Sequence, residues 1–271
     1  MTRSLWRGTT MAEHATVAMV PVATERPHRV DRWFFISVAL LMILFNVVAF
    51  GPSIIDPSTR DVPLPLTPLV TAHTIVSAAW LLLFLTQTTL VATARTAVHR
   101  RVGIFGALLT VAFVVVGSFT IIAEARRGFD LSGDIGRVPP PPGADQAATA
   151  VGLLFFFLTF AILVGAALWY RHRPSVHKRL MLLAVLGGLT PTPVAHVIGH
   201  WPVLHPWVGM IFPLSLFIFL SLSAINDRVS EGRIHPVSLW VGLLVFVWNA
   251  TFSLVIVPSS AWRAFATWVI Q

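Results

Sequence analysis

Seven apolar runs, each close to the length of a bilayer crossing, constrain this chain more than any other feature. They are residues 33–50, 68–93, 102–123, 150–170, 180–198, 207–225 and 237–257, and nearly all the charge lies between them. A helix needs about 20 apolar residues to cross a hydrocarbon layer of roughly 30 Å. Inside that layer every backbone polar group must be paired within the protein, which leaves helices or a closed barrel. Uninterrupted runs of this length predict helices. The expected fold is an all-α bundle of seven transmembrane helices, one domain over 33–257. A cytoplasmic segment, 1–32, precedes it, and a short interfacial helix, 258–271, follows. Composition agrees, since 11% of residues are charged and 56% hydrophobic, whereas soluble domains carry about 25% charged residues. A disordered chain and an ordinary soluble enzyme are excluded. The chain has no cysteine, which removes thiolate metal sites, iron–sulfur clusters and thiol nucleophiles.

The net charge of +8 would suggest nucleic acid in a soluble protein. Here the basic residues sit between apolar runs, where they orient the chain against a membrane, and no nucleic-acid partner is expected. Twelve of them flank one set of ends: Arg26, Arg29, Arg32, Arg95, Arg100, Arg101, Arg171, Arg173, Lys178, Arg179, Arg228 and Arg233. Five lie on the other side: Arg60, Arg126, Arg127, Arg137 and Arg263. The N-terminus is therefore expected in the cytoplasm and the C-terminus outside. Residues 1–32 lack the apolar core and cleavage site of a signal peptide, and Met11 is an alternative start. Residues 124–149, with Gly128, Gly133, Gly136 and the prolines 139–142, read as an extended outer loop. Pro258 and Ser259 are expected to open a helix that carries Trp262, Phe265 and Trp268 on one face. Trp80 and Trp248, each near mid-span, are expected to face other helices.

The histidines supply the candidate chemistry, because imidazole is the commonest metal ligand and polar groups within spans are costly. His73 lies in the outer part of span 2, and His196 and His200 share a face at the outer end of span 5. With Glu124 at the end of span 3 they would make a three- or four-ligand site for a divalent metal. Gly187, Gly188, Pro191 and Pro193 are expected to break span 5 nearby and open a cavity. At the cytoplasmic ends, His99 and His177 form a second candidate pair. Two haem b groups, one on His73 with His196 or His200 and one on His99 with His177, would let electrons cross the bilayer. Thr86, Gln87, Thr88 and Thr89 form a polar patch that could line a quinone site or simply bond between helices. No phosphate loop or nucleophile elbow is present. Span 7 has no lysine for a retinal Schiff base.

The turn Arg95-Thr-Ala-Val-His99-Arg-Arg-Val matches Arg173-Pro-Ser-Val-His177-Lys-Arg-Leu, either as a duplicated hairpin or as two well-made turns. The stretch Ala79-Trp-Leu-Leu-Leu-Phe-Leu-Thr-Gln87, with His99-Arg-Arg-Val-Gly103 and His177-Lys-Arg-Leu-Met-Leu-Leu183, resembles a family of uncharacterised bacterial polytopic membrane proteins. That resemblance implies a helical bundle in the bacterial inner membrane and no activity. The His-Arg-Arg-x-Gly turn is similar to membrane families linked to haem or respiratory-oxidase assembly. The paired histidines resemble those of ascorbate-reducible b-type cytochromes, from which the chain departs in having none within span 4. Seven spans with the N-terminus inside also resemble adiponectin-receptor and ceramidase zinc hydrolases, but Leu69 replaces their serine and span 7 lacks histidine.

Two classes of function stand open. One is a redox, metal-handling or membrane-assembly protein that uses haem b or a divalent metal. The other is a cofactor-free transporter, assembly factor or structural subunit. The lipid bilayer is the expected surrounding, with a membrane-protein partner or a second copy as further candidates.

Overall fold

The computed structural model describes residues 29–56, 67–127 and 144–271. The loop expected to run through the prolines 139–142 lies outside the described residues, as do most of segment 1–32 and Arg60. Every regular element among the described residues is helical. The order is α1 (Arg29–Ile55), α2 (Pro68–Ala92), α3 (Thr96–Arg127), α4 (Gln146–Trp169), α5 (Pro174–Ala184), α6 (Pro191–His200), α7 (Val208–Glu231), α8 (Gly242–Thr251) and α9 (Ser260–Ile270). A π-helical turn, Val185–Leu189, joins α5 to α6, and two more, Val237–Val241 and Phe252–Ile256, flank α8. Seven of the resulting segments are long and apolar enough to cross a membrane, as expected. Their lengths and hydropathy make this a multi-pass membrane protein.

Local chemistry sets the helix ends. Thr67 caps α2, its hydroxyl accepting from the Val70 N–H at 3.2 Å with Pro68 in the first turn. Asp145 caps α4 by accepting from Ala148 N–H at 2.6 Å. Gly232 closes α7 with φ +71°, a left-handed conformation that suits a residue without Cβ. The helix α3 has 32 residues, more than the expected 102–123. At 1.5 Å per residue it is about 48 Å long and must project beyond a 30 Å apolar layer. Its ends carry Arg100, Arg101, Arg126 and Arg127.

Span 5, α5 with the π turn and α6, is the axis of the bundle. Some 72% of its most apolar window is buried, against 17% for spans 2 and 3. Gly187 and Gly188 make this position accessible. A Cβ on Gly188 would lie 2.6 Å from Phe160 Cβ in span 4, and one on Gly187 would lie 2.6 Å from Val245 Cγ1 in span 7. Small residues thus let three helices meet at close range. The expected break before Pro191 takes the form of one π turn between α5 and α6, with Val185 and Leu186 wholly buried there. A small gap lies beside it, lined by Thr190, Pro191 and Val194 against Phe212 and Phe219 of α7. The Thr190 hydroxyl donates to the Leu186 carbonyl at the end of the π turn.

Trp80 meets its expectation: it is buried, and its Nε1–H donates to Thr110 Oγ1 at 3.0 Å. Trp248 does not, being 45% exposed with one flank against Phe155. Gly242, Val245, Asn249 and Phe252 form the buried stripe of span 7 at helical spacing, and Trp248 falls beside it. The expected C-terminal helix forms as α9, capped by Ser259, whose hydroxyl accepts from Trp262 N–H. It is stapled to α4 by Trp262 Nε1–H donating to the Ala148 carbonyl at 2.9 Å. The rings of Trp262, Phe265 and Trp268 follow one another along one side of it.

Candidate functional site

The arginine-rich end of the bundle gathers most of the polar chemistry. Its two matching turns are built alike. His99 N–H donates to the Arg95 carbonyl at 3.0 Å, and His177 N–H to the Arg173 carbonyl at 2.9 Å. Both histidines therefore occupy the same place in the first turn of α3 and of α5. Their rings stand edge to face with centres 6.3 Å apart. Each is held by its Nδ1. His177 Nδ1 lies 2.8 Å from the Ala167 carbonyl, which only accepts, so Nδ1 carries the proton. The Gln87 amide, oriented to satisfy its surroundings, donates to His99 Nδ1 at 2.6 Å and accepts from Gly103 N–H at 3.0 Å. A neutral His99 then carries its proton on Nε2, while His177 Nε2 offers a lone pair.

Gln87 is the one member of the Thr86–Thr89 patch whose side chain reaches another helix. Thr86, Thr88 and Thr89 return their hydroxyls to carbonyls of their own helix. The three hydroxyls thus satisfy themselves locally, and only the Gln87 amide bonds between helices.

Beside the histidine pair lies a charged cluster that sequence reasoning missed. Arg179 and Asp227 are each only 1% exposed. The guanidinium reaches Asp227 Oδ1 from Nε at 2.8 Å and from Nη2 at 2.6 Å, and Glu231 Oε1 at 2.5 Å. Its Nη1 donates to the Ser175 carbonyl at 2.7 Å. Lys178 Nζ bridges Asp31 Oδ2 at 2.7 Å and Glu231 Oε1 at 3.4 Å. Asn226 Nδ2 donates to Asp31 Oδ1 at 2.9 Å. The N–H of His235 donates to Asp227 Oδ2 at 3.1 Å, and His235 Nδ1 accepts from Val237 N–H. Burial, then the Arg179 guanidinium, hold the His235 imidazole below its usual pKa. The available signal was the spacing of Asp227 and Glu231, four residues apart and so on one face of a helix, in a chain with only eleven acidic residues.

At the far end the expected shared site does not form between His73 and His196. His73 stacks on Phe113 at 5.9 Å and leans on Phe157 at 6.1 Å, above Gly117. Its Nδ1 is buried without a hydrogen-bond partner, and Ser77 Oγ lies 3.5 Å from Nε2. His196 is buried against Phe50, ring centres 4.4 Å apart. The reason is topological: α6 packs on α1 and α7, whereas α2 packs on α1 and α3. Glu124 is buried and ion-paired with Arg127 at 3.0 Å. The His200 side chain lies outside the described residues. Among the described residues no three His, Asp or Glu side chains converge as a metal site. Comparison with protein-family models, curated proteins and solved structures gives no match for this chain.

Proposed function

We propose that this is a redox or metal-handling membrane protein whose centre is the His99–His177 pair. The observation that carries this reading is the approach of the two rings to 6.3 Å, each anchored through Nδ1. His177 is oriented as metal-ligating histidines ordinarily are, donating its Nδ1–H to a carbonyl and leaving Nε2 open. At that separation of the rings the two imidazoles would hold one metal ion or haem iron through ring nitrogens, which would supply the redox chemistry. Ligation through both Nε2 atoms requires His99 to carry its proton on Nδ1. The Gln87 carbonyl oxygen would accept a hydrogen bond from that Nδ1–H once its amide turns, at the cost of its bond to Gly103. The exposed Arg100 and Arg101 nearby favour a group with anionic substituents, such as haem, over a bare divalent ion. His73 and His196 are left as single ligands of any second group at the far end.

The cofactor-free class has its own support. The same bonds of Gln87 and His177 knit α2 to α3 and α4 to α5, and a purely structural pair needs nothing more. A visible spectrum and metal analysis of the detergent-purified protein separate the two. A Soret band or stoichiometric metal, lost in His99→Ala and His177→Ala but kept in His172→Ala, supports the proposal. A colourless, metal-free protein from cells supplied with haem and metals would overturn it. The placement in a bacterial inner membrane, arginine-rich end inward, belongs to the same reading. It rests on the distribution of basic residues and on the family resemblance. Reporter fusions at Gly143 and Pro174 test it, and periplasmic activity at Pro174 reverses it.

A further inference from the structure

The charged cluster is unbalanced. Asp31, Asp227 and Glu231 are bonded to Lys178 and Arg179, so their formal charges leave one negative charge over. Acceptors are also in excess. Asn226 is 5% exposed and directs its Nδ2 at Asp31, yet its Oδ1 is buried with no hydrogen-bond partner. A buried amide oxygen left unpaired is costly, and the surplus negative charge reaches solvent through Glu231 and Lys178, whose side chains are about a third exposed. Both deficits are met by the same thing, one positive charge that takes oxygen ligands. Arg179 cannot supply it, since its nitrogens are committed to Asp227, Glu231 and the Ser175 carbonyl.

The geometry points to a site for one hard monovalent cation, Na⁺ in the first instance, among Asn226 Oδ1, the Asp31 carboxylate and Glu231. Amide and carboxylate oxygens are the ligands such ions take. Lys178 is the built-in competitor: its ammonium already rests between Asp31 and Glu231. The side chains of Lys178 and Glu231 are about a third exposed, 29% and 31%, while those of Arg179 and Asp227 are sealed. The ion therefore enters from the arginine-rich end past Lys178, and displaces its ammonium outward as it binds. Because Asp31 starts α1, Lys178 and Arg179 lie on α5, and Asn226 to Glu231 end α7, occupancy ties three spans together. This inference does not depend on the histidine pair.

Thermal unfolding of the whole protein in detergent tests it, with NaCl replaced stepwise by choline chloride at constant ionic strength. Choline is too large for the site. The wild type should gain a saturable rise in Tm with Na⁺. Lys178→Met should reach the same rise at a several-fold lower Na⁺ concentration, because the competing ammonium is gone. Asn226→Asp, which keeps the oxygen and adds charge, should shift in the same direction. Asn226→Leu should lose the response. Identical melting in Na⁺ and choline for both wild type and Lys178→Met overturns the site. So does a Na⁺ response that Asn226→Leu retains.

Discussion

Arg179 and Asp227 meet in the interior of the bundle through two contacts, 2.8 and 2.6 Å, with each side chain 1% exposed. The pair locks span 5 to span 6 at the arginine-rich end. It carries the last span as well, because Asp227 also accepts from the backbone of His235. Removing one partner leaves the other charge buried and uncompensated. Asp227→Ala should cost about 3–5 kcal/mol of stability. Arg179→Leu with Asp227→Leu should cost clearly less than the sum of the single changes. A double-mutant cycle on denaturant unfolding measures this, and simple additivity would contradict a direct coupling.

The crossing at Gly188 is as close as the backbone allows. A Cβ there would stand 2.9 Å from Phe160 Cα and 2.6 Å from its Cβ, so a neighbouring backbone has to move. Gly188→Ala should destabilise by about 1–3 kcal/mol. Gly165→Ala is the matched control, since a Cβ there meets nothing within 4 Å. It should be neutral or gain up to about 1 kcal/mol from helix propensity. Equal effects at the two glycines would remove the argument for close packing of spans 4 and 5.

Two indoles should respond oppositely to quenchers attached to lipid tails. Trp80 is 3% exposed and hydrogen-bonded to Thr110, so its emission should be shielded. Trp248 is 45% exposed on the outer side of span 7, so its emission should fall strongly. The measurement uses variants in which one of these tryptophans is replaced by Phe, and compares the quenching lost with each. Thr110→Val should also shift Trp80 emission by taking away the indole's partner.

His235 predicts a pH dependence. Its folded pKa lies below the ordinary value of about 6.5, with burial the first cause. The neutral ring is therefore the one the folded state prefers, and it is the form whose Nδ1 accepts from Val237 N–H. The stability it contributes is complete above the unfolded pKa. It is lost as pH falls from there through the folded value. Wild type should melt progressively lower as pH drops below about 6.5, and His235→Asn, which keeps an acceptor, should show a shallower slope. An unchanged slope in His235→Asn would assign the acid sensitivity to other groups.

The apolar runs determined the number, type and approximate limits of the spans, because a bilayer-length hydrophobic helix is specified by local composition alone. The turn chemistry was equally local. Thr67 with Pro68, Asp145 and Ser259 announce helix starts, and the matching Arg95–His99 and Arg173–His177 turns announce equivalent histidine positions. What the sequence could not determine is which helix stands beside which. Histidines at equal depth in spans 2 and 5 look like partners until α6 is found packed on α1, which leaves His73 among Phe113 and Phe157 and His196 against Phe50. Asp31 and Lys178 lie 147 residues apart and look like ordinary boundary charges in a linear reading. Only the tertiary structure brings them to one ammonium–carboxylate contact. Helix neighbours are chosen by side-chain fit, such as Gly187 and Gly188 against Val245 and Phe160, and that fit is a property of facing surfaces, not of any one segment.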